Sequence, residues 1–249
     1  MKISNTELLR YSKQIILKKI GISGQKKIFS TKVLVVGVGG LGCPLALYLA
    51  NTGIGILGLI DNDKVDISNL NRQILFKTDD IGKYKVVQAK KFLNKINNKI
   101  KIKIYKDSLT KKNIKKILNK YDIICDCSDN FATRYLINNF CFKSKKILIS
   151  AAISKFDAHI FNFDFSRNIP CYKCFMPEIP DEENKCDTEG ILPTVAGIAG
   201  SLQANEVIKS ILGKNNELVG KMIIFNTFNL NFRTVKLTKN SSCLCCAKK

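Results

Sequence analysis

The sequence predicts an α/β fold built on a mostly parallel sheet with helices on both faces and an antiparallel C-terminal extension. Apolar, β-branched segments alternate with helical segments from about residue 30 to 151, as parallel strands joined by crossover helices do. A glycine-rich turn follows the first of these strands. From Asp157 onward the pattern HIFNFDF alternates in strand fashion, which favours antiparallel pairing. The 249 residues are enough for one domain with a full core.

The expected elements follow one another at strand or helix spacing. An N-terminal helix is expected at about Asn5–Ile20. The later strands are expected at Val33–Val36, Ile56–Ile60, Ile100–Tyr105, Tyr121–Cys125 and Ile147–Ala151, with a hairpin-like pair over Lys221–Leu237. The later helices are expected at Lys83–Asn97, Lys111–Asn119, Phe131–Lys143 and Pro193–Leu212.

The segment from Val33 to Gln73 is the most informative part of the chain. Gly37, Gly39 and Gly42 form a G-x-G-x-x-G turn between a strand and a helix. Glycines let backbone N–H groups approach a phosphate, and a helix N-terminus offers partial positive charge. Asp61 ends the second strand, at the distance at which an acid accepts hydrogen bonds from ribose hydroxyls. These features predict a Rossmann-like nucleotide site without identifying the nucleotide.

The net charge of +21 comes almost entirely from lysine, since arginine occurs at five positions only. The lysines are spread over helices and strands and form no basic stripe interleaved with aromatics, so we expect no nucleic-acid partner. The more modest inference from the charge is attraction to an acidic protein partner or a polyphosphate. The longest apolar stretches, near Ile54–Ile60 and Ile191–Ser201, are too short or too interrupted by glycine to span a bilayer. Met1–Lys18 lacks the features of a signal peptide, so we expect a cytoplasmic protein with no membrane partner.

Three carboxylates, Asp61, Asp63 and Asp129, are expected at the carboxyl ends of strands, where open parallel sheets bind ligands. A carboxylate close to a triphosphate is unfavourable unless a divalent cation lies between them. Asp129 is therefore the candidate magnesium ligand. It is also a candidate N-cap for the helix that begins near Phe131, and both roles can hold together.

Arg72 and Lys85 are the two cations that we expect on phosphates. Arg72 lies in the uncommon string SNLNRQ, just beyond Asp61. Lys85 lies at a helix start, where the helix dipole disfavours a bare cation unless an anion is present.

Two thiol pairs predict a structural zinc site. Cys171-x-x-Cys174 and Cys243-x-x-Cys246 have the spacing of the two halves of a tetrahedral site, and four cysteines leave no open position. Cys245 adjoins Cys246, so the fourth ligand stays ambiguous, and a redox pair is the alternative. Four further cysteines are expected in the core: Cys43, Cys125, Cys127 and Cys141.

Cys186 lies alone in the acidic segment EENKCDTEG, within a stretch, Pro177–Gly190, that we expect to be a loop. Neighbouring carboxylates raise the pKa of a thiol, so its surroundings do not activate it. Exposure on a loop still makes it available for covalent chemistry with a partner. His159, the only histidine, is expected to be structural, which leaves a Ser–His or Cys–His hydrolase without support.

Taken together, these motifs resemble the ThiF/MoeB/HesA family of ubiquitin-activating-like adenylyltransferases. The resemblance covers almost the whole chain, from LLRYSKQIIL through GVGGLG, DNDKVDISNLNRQ, DCSDN, CYKC and GSLQANEVIK to CLCC. It implies that a small β-grasp sulfur-carrier protein presents its C-terminal Gly-Gly carboxylate to ATP. An acyl-adenylate forms and pyrophosphate leaves, and sulfur later replaces AMP to give a thiocarboxylate for thiamine or molybdopterin synthesis. One domain, 1–249, is implied, with a nucleotide-binding part at about 30–152 and a carrier-binding and zinc part at about 153–249.

The resemblance also implies roles for particular positions. The glycine turn includes Gly40, and Asp61 binds ribose. Asn69, Arg72 and Lys85 contact phosphates, and Asp129 binds Mg²⁺. The zinc ligands are Cys171, Cys174, Cys243 and Cys246, and Cys186 is the loop cysteine that is linked covalently to carrier or sulfur in some members. In-line attack on phosphorus needs positioning and charge neutralisation, which agrees with the lack of a histidine among these positions.

One position departs from the family pattern. The second arginine of RY-x-RQ, which reaches the nucleotide of the other subunit in a homodimer, is Lys13 here. Lysine keeps the charge but lacks the bidentate fork, which leaves open whether this contact forms. The chain stops at the zinc cysteines, so a separate sulfurtransferase or cysteine desulfurase is the expected sulfur donor.

Two other functions remain as alternatives. An NAD-dependent oxidoreductase would use Gly37–Gly42 and Asp61 equally well, but it gives SNLNRQ and Lys85 no clear purpose. A non-catalytic zinc scaffold or nucleic-acid binder would be marked by salt-sensitive binding to RNA or DNA. The choice between thiamine and molybdopterin stays open.

Overall fold

A computed structural model describes residues 3–178, 190–213 and 216–247. Its eight strands form one sheet in the order β3-β2-β1-β4-β5-β6-β7-β8. The five strands β1 to β5 pair in parallel, and β6, β7 and β8 extend the sheet in antiparallel fashion. The strands are β1 (Lys32–Val36), β2 (Ile56–Ile60), β3 (Lys101–Tyr105), β4 (Ile123–Asp126), β5 (Ile147–Ser154), β6 (Asp157–Asp164), β7 (Lys221–Asn226) and β8 (Asn231–Lys236). The predicted fold class is confirmed.

Eight helices are present in the described residues, together with short 3-10 turns at Ile67–Asn69 and Thr78–Asp80. The helices are α1 (Asn5–Ile15), α2 (Gly21–Ser30), α3 (Gly42–Thr52), α4 (Lys85–Ile96), α5 (Ile114–Leu118), α6 (Phe131–Lys143), α7 (Tyr172–Phe175) and α8 (Pro193–Leu212). None of the helices in this part of the chain is long and apolar enough to cross a membrane.

The sheet is buried on both faces because its central strands direct apolar side chains to both sides. Val33 and Val35 of β1 point into one cluster, and Leu34 and Val36 point into the other. The first cluster includes apolar residues of α3, α4 and α8, and the second includes those of α5, α6 and α7. Helices therefore cover both faces, as predicted. The four cysteines expected in the core are buried: Cys43, Cys125, Cys127 and Cys141.

The N-terminal helix differs from the prediction. The expected helix at Asn5–Ile20 ends at Ile15, and α2 begins at Gly21, whose φ of 60° lies in the left-handed region. A capping box between Ser4 and Glu7 fixes the start of α1. The apolar residues between the two helices keep a helical spacing in the sequence, but the backbone makes a turn there.

The order of the strands reverses between β1 and β4, which lie side by side in parallel. A crevice opens at the carboxyl ends of two such strands, because the connections that follow them lead to opposite sides of the sheet. The glycine turn follows β1, and the DCSDN string begins at the end of β4. The fold thus brings the two motifs to one edge.

Candidate nucleotide site and cysteine cluster

Two glycines of the turn after β1 are too closely packed to be replaced by residues with a side chain. Gly37 has φ of 88°, and a Cβ there would lie 2.7 Å from the carbonyl oxygen of Cys127. A Cβ at Gly42 would lie 2.0 Å from the carbonyl oxygen of Gly37. These positions therefore require glycine, and the turn leads directly into the N-terminus of α3. Such a turn offers backbone N–H groups to an anion.

The SNLNRQ string folds back onto this turn. A Cβ at Gly40 would lie 3.5 Å from both Cγ and Cδ of Arg72, so the stem of that arginine runs along the glycine backbone. Arg72 Nη1 donates to the Ser68 carbonyl at 2.9 Å and to Asn71 Oδ1 at 3.1 Å. Asn69 ends the short 3-10 turn that begins the string. The structure thus brings Arg72 to the glycine turn, and its predicted role on phosphates stays a prediction.

Asp61 lies at the carboxyl end of β2 and is held by two backbone groups. Its Oδ2 accepts from the Val38 N–H at 2.7 Å, and its Oδ1 accepts from the Asp63 N–H at 2.8 Å. Each carboxylate oxygen has a second lone pair free for a hydroxyl donor, so the two oxygens fit a ribose diol. Burial raises the pKa of Asp61 above its ordinary value, and the two N–H donors partly oppose that rise.

Lys85 begins α4 and is buried, with 6% of its surface exposed. Its Nζ lies 2.8 Å from Asp63 Oδ2, and its backbone N–H donates to the Asp63 carbonyl at 3.0 Å. Since no side chain caps α4, a cation at this helix start needs an anion beside it. Asp63 is that anion here, and a phosphate group could take its place.

Asp129 is exposed in the loop that follows β4. The N-cap of α6 is its neighbour Asn130, whose side chain accepts from the Thr133 N–H at 2.9 Å. The capping role considered for Asp129 is therefore wrong, because the helix begins one residue later than that role requires. The Asp129 carboxylate stays accessible, and carboxylate oxygens suit Mg²⁺. Its role as a magnesium ligand stays a prediction.

A buried ion pair lies beneath this loop. Asp126 is fully buried, and its Oδ2 lies 3.5 Å from Arg134 Nε and 2.8 Å from Ser150 Oγ. Arg134 Nη2 donates to the carbonyls of Ser128 at 2.7 Å and Ala151 at 3.1 Å. The guanidinium thus ties the residue before Asp129 to β4 and β5.

The four predicted zinc ligands meet in one cluster. The Sγ atoms of Cys171, Cys174, Cys243 and Cys246 all lie within 4.8 Å of one another. Tetrahedral Zn–S bonds place sulfurs about 3.8 Å apart, and the Cys171–Cys243 and Cys174–Cys246 pairs lie at 3.7 and 3.2 Å. The donor set therefore fits zinc. Cys245 lies beside this tetrad, where its thiol interacts with that of Cys171 and its Sγ accepts from Asn138 Nδ2 at 3.5 Å.

The cluster lies next to the ion pair. Tyr172, the residue after Cys171, stacks beneath Arg134, whose Cζ lies 5.4 Å from the ring centroid. The Tyr172 N–H donates to Asn138 Oδ1 at 2.9 Å. A chain of contacts therefore connects the cysteine cluster with the loop that carries Asp129.

The model of the ThiF family matches residues 11–245 of the chain. The chain belongs to the ThiF family. Among its relatives are two proteins named adenylyltransferase and sulfurtransferase MOCS3. The one from Culex quinquefasciatus is 41% identical over 99% of this chain and 57% of its own length. The one from Dictyostelium discoideum is 43% identical over 98% of this chain and 58% of its own length. The chain thus spans little more than half of these relatives.

Solved structures of E. coli MccB share the ThiF-family fold seen here. MccB with MccA-N7isoASN superposes with a TM-score of 0.85 at 25% identity, over 99% of this chain and 76% of that chain. MccB with ATP superposes with a TM-score of 0.83 at 26% identity, over 96% of this chain and 75% of that chain.

The structure of this ThiF-family chain does not test two of the residues predicted for catalysis or nucleotide binding. Cys186, with most of the loop Pro177–Gly190, lies outside the described residues. Lys13 is exposed on α1, and its predicted contact concerns a second chain. His159 packs edge-on against Phe161 and Phe175, and burial lowers its pKa, as suits a structural residue.

Sequence reasoning did not assign Asp126 or Arg134, and it gave Asp63 no partner. A signal for Arg134 was present, because arginine is rare in this lysine-rich chain and this one occurs in a helix next to DCSDN. Buried ion pairs favour arginine, whose planar guanidinium makes several directed hydrogen bonds.

Proposed function

We propose that the chain is an ATP- and Mg²⁺-dependent adenylyltransferase that activates the C-terminal Gly-Gly carboxylate of a small β-grasp sulfur-carrier protein. The crevice between β1 and β4 carries the proposal. Its contacts join the glycine turn to Arg72, and Asp61 to Asp63 and Lys85. An exposed carboxylate, Asp129, lies on the adjoining loop. The name of the MOCS3 relatives supports the same activity.

The reaction is in-line substitution at the α-phosphorus of ATP. A carboxylate oxygen of the carrier forms a bond to phosphorus, and the bond to the bridging oxygen breaks. Pyrophosphate leaves with that electron pair. The attacking carboxylate is already ionised near pH 7, so no general base is required. A bound Mg²⁺ would supply charge neutralisation on the phosphate oxygens.

Each residue of the crevice has a proposed part in this step. Asp61 orients the ribose through its free lone pairs, and Asn69 and Arg72 hold phosphate oxygens at the glycine turn. Lys85 exchanges its Asp63 partner for a phosphate. Asp129 is the residue that would hold Mg²⁺. Positioned charges of this kind are the main source of catalysis in phosphoryl transfer.

We also propose that residues 1–249 form one domain, with the nucleotide part at about 30–152 and the carrier and zinc part at about 153–249. The sheet supports a single domain, since the boundary lies within β5 and this strand pairs without a break with β6, from Ile147↔Asp164 to Ser154↔Asp157. The cysteine cluster, with zinc bound, would tie the end of the chain to α7. Its role is proposed as structural because four thiolates complete the coordination.

The remaining partners are proposals as well. A separate sulfurtransferase or cysteine desulfurase is proposed as sulfur donor, with the product entering thiamine or molybdopterin synthesis and Cys186 as the linking thiol. A homodimer is supported by large exposed apolar residues in the N-terminal segment that carries Lys13, on α1, on α2 and in the connection between them. They are Leu9, Ile16, Leu17 and Ile22. Analytical ultracentrifugation tests the dimer.

Carrier-dependent exchange of labelled pyrophosphate into ATP tests the activity. Exchange is expected with a carrier that ends in Gly-Gly and a free carboxylate. The same carrier with an amidated C-terminus is the matched control, because it lacks the attacking oxygen. Absence of exchange with every Gly-Gly carrier, together with binding of NAD but not ATP, would instead support the oxidoreductase.

A further inference from the structure

Gln73, the last residue of the SNLNRQ string, has a buried hydrogen-bond acceptor that is not used. The residue is 4% exposed, and its Oε1 has no hydrogen-bond partner. Its backbone is fully engaged, since its N–H donates to the Asn69 carbonyl at 2.9 Å and its carbonyl accepts from the Phe76 N–H at 3.1 Å. Leaving a buried amide oxygen unpaired costs free energy, so such a group needs an explanation.

Two other buried side-chain atoms in the described residues lack a hydrogen bond, but each belongs to a group that is otherwise held. Arg134 Nε faces Asp126 at 3.5 Å, and the guanidinium makes further bonds. Asn162 donates through Nδ2 to Glu206 and Ser210, both at 3.1 Å. Gln73 differs from both because its side-chain amide lies at the proposed reaction site.

The amide of Gln73 lies against the glycine turn. A Cβ at Gly39 would lie 3.8 Å from Gln73 Nε2, which is ordinary contact distance. The preceding residue, Arg72, packs its stem on Gly40. The unpaired oxygen therefore belongs to a side chain that borders the glycine turn, where the phosphates of ATP are proposed to bind.

The chemistry of the unpaired atom indicates its partner. An amide oxygen only accepts, so it needs an N–H or O–H donor. The phosphate oxygens of ATP are themselves acceptors, and the ribose hydroxyls are assigned to Asp61. The amino group of adenine is separated from the phosphates by the ribose. The other substrate at this point is the carrier tail, whose two glycines offer main-chain N–H groups and no side chains.

We propose that Gln73 is a specificity-determining residue whose Oε1 accepts a hydrogen bond from a main-chain N–H of the carrier's Gly-Gly tail. This inference rests on the proposed function. It assigns to Gln73 the recognition of the main chain of the carrier tail. Residues that bind the phosphates of ATP would not provide this recognition.

The test removes each partner of the hydrogen bond in turn. Carriers are made by ligation with one terminal glycine replaced by glycolate, which exchanges the N–H for an ester oxygen at either of the last two linkages. Wild type and Gln73→Met are compared by pyrophosphate exchange, and ATP binding is measured directly. Methionine keeps the length of the side chain but cannot accept this bond strongly.

For wild type, one of the two ester carriers is expected to lose about tenfold in kcat/KM, the effect of one buried hydrogen bond. Gln73→Met is expected to lose about tenfold with the amide carrier and to treat the amide and ester carriers alike. Its Kd for ATP stays unchanged. Gln25→Met is the matched control, because Gln25 is fully buried but its amide is held by Gln14 and the Thr52 carbonyl. This variant keeps the wild-type preference for the amide carrier.

Three results would overturn the proposal. One is an equal preference for amide over ester in wild type and Gln73→Met. Another is weaker ATP binding in Gln73→Met with the carrier preference intact, which would assign the oxygen to the nucleotide. The third is a wild type that does not distinguish amide from ester.

If Gln73→Met does not fold, Gln73→Asn, which withdraws the oxygen, is expected to lose the same preference. Failure of the proposed function is distinguishable, since wild type would then show no exchange with the amide carrier.

Discussion

Lys85 and Asp63 form an ion pair at the edge of the nucleotide crevice, with Nζ 2.8 Å from Oδ2. The lysine side chain is 7% exposed and the carboxylate side chain is 57% exposed. Asp63 is also joined to Asp61 through its backbone N–H. The pair thus holds the cation in place. In the proposed function a phosphate replaces Asp63, whose exposed carboxylate can then turn toward water.

Replacement of Lys85 by Met is expected to reduce carrier-dependent pyrophosphate exchange by roughly 10²–10³-fold, because it removes a positioned charge from the transition state. Lys83→Met is the matched control, since Lys83 is exposed two residues away and donates to the Asp79 carbonyl. Equal loss in both variants would show that Lys85 has no special role.

Asp129→Asn is expected to reduce exchange roughly hundredfold and to raise the Mg²⁺ concentration for half-maximal activity. The carboxamide keeps the size of the side chain but lacks the charge that attracts the cation. Asp122→Asn provides the comparison, because Asp122 lies at the opposite end of β4 and accepts from the Lys32 N–H. An unchanged Mg²⁺ requirement in Asp129→Asn would contradict the assignment.

The cysteine cluster predicts one zinc ion per chain. Cys174→Ser is expected to lose the metal and to lower the thermal midpoint by about 6–12 °C, the shift that a loss of about 3 kcal/mol produces in a chain of this size. Cys245→Ser should keep both zinc and stability, since its Sγ bonds to Asn138 outside the tetrad. Metal analysis and calorimetry measure the two effects. If only the Cys245→Ser variant lost zinc, Cys245 would be assigned as the fourth ligand.

Arg134→Met is expected to destabilise the fold by about 3 kcal/mol, because it leaves the fully buried Asp126 without its counter-charge. The double variant Asp126→Asn/Arg134→Met should recover part of that loss. Urea unfolding of the two single variants and the double variant measures the coupling. Additive losses would show that the pair does not act as a unit.

ATP binding is expected to weaken on acidification at a pH where an ordinary aspartate is still ionised. Burial raises the pKa of Asp61, and in the proposed site only its ionised form would accept a hydrogen bond from both ribose hydroxyls. Protonation as the pH falls through this raised pKa therefore removes the contact. The Kd for ATP, measured over a range of pH, reports the effect. The Kd for dideoxy-ATP, which lacks the diol, should not change as Asp61 is protonated. The same pH profile for both nucleotides would contradict the role of Asp61.

Much of the fold could be read from local patterns. Strands and helices have distinct hydrophobic periods, so the parallel strands, the antiparallel extension and α8 at Pro193–Leu212 were predicted. The glycine turn was predictable from its residue types, since glycine alone tolerates its close contacts. The break between α1 and α2 was not, because apolar spacing continues through residues 16–20.

By itself, the sequence determined the order of the elements, the residue types of the nucleotide site and the candidate cysteine pairs. Only the tertiary structure decided which groups meet. It brought Cys171 to Cys243, placed Arg134 against Asp126, and left the oxygen of Gln73 unpaired at the glycine turn. The physical reason is that periodicity and turn propensity act between near neighbours, whereas ion pairing and hydrogen bonding depend on distances that the packed sheet and helices set.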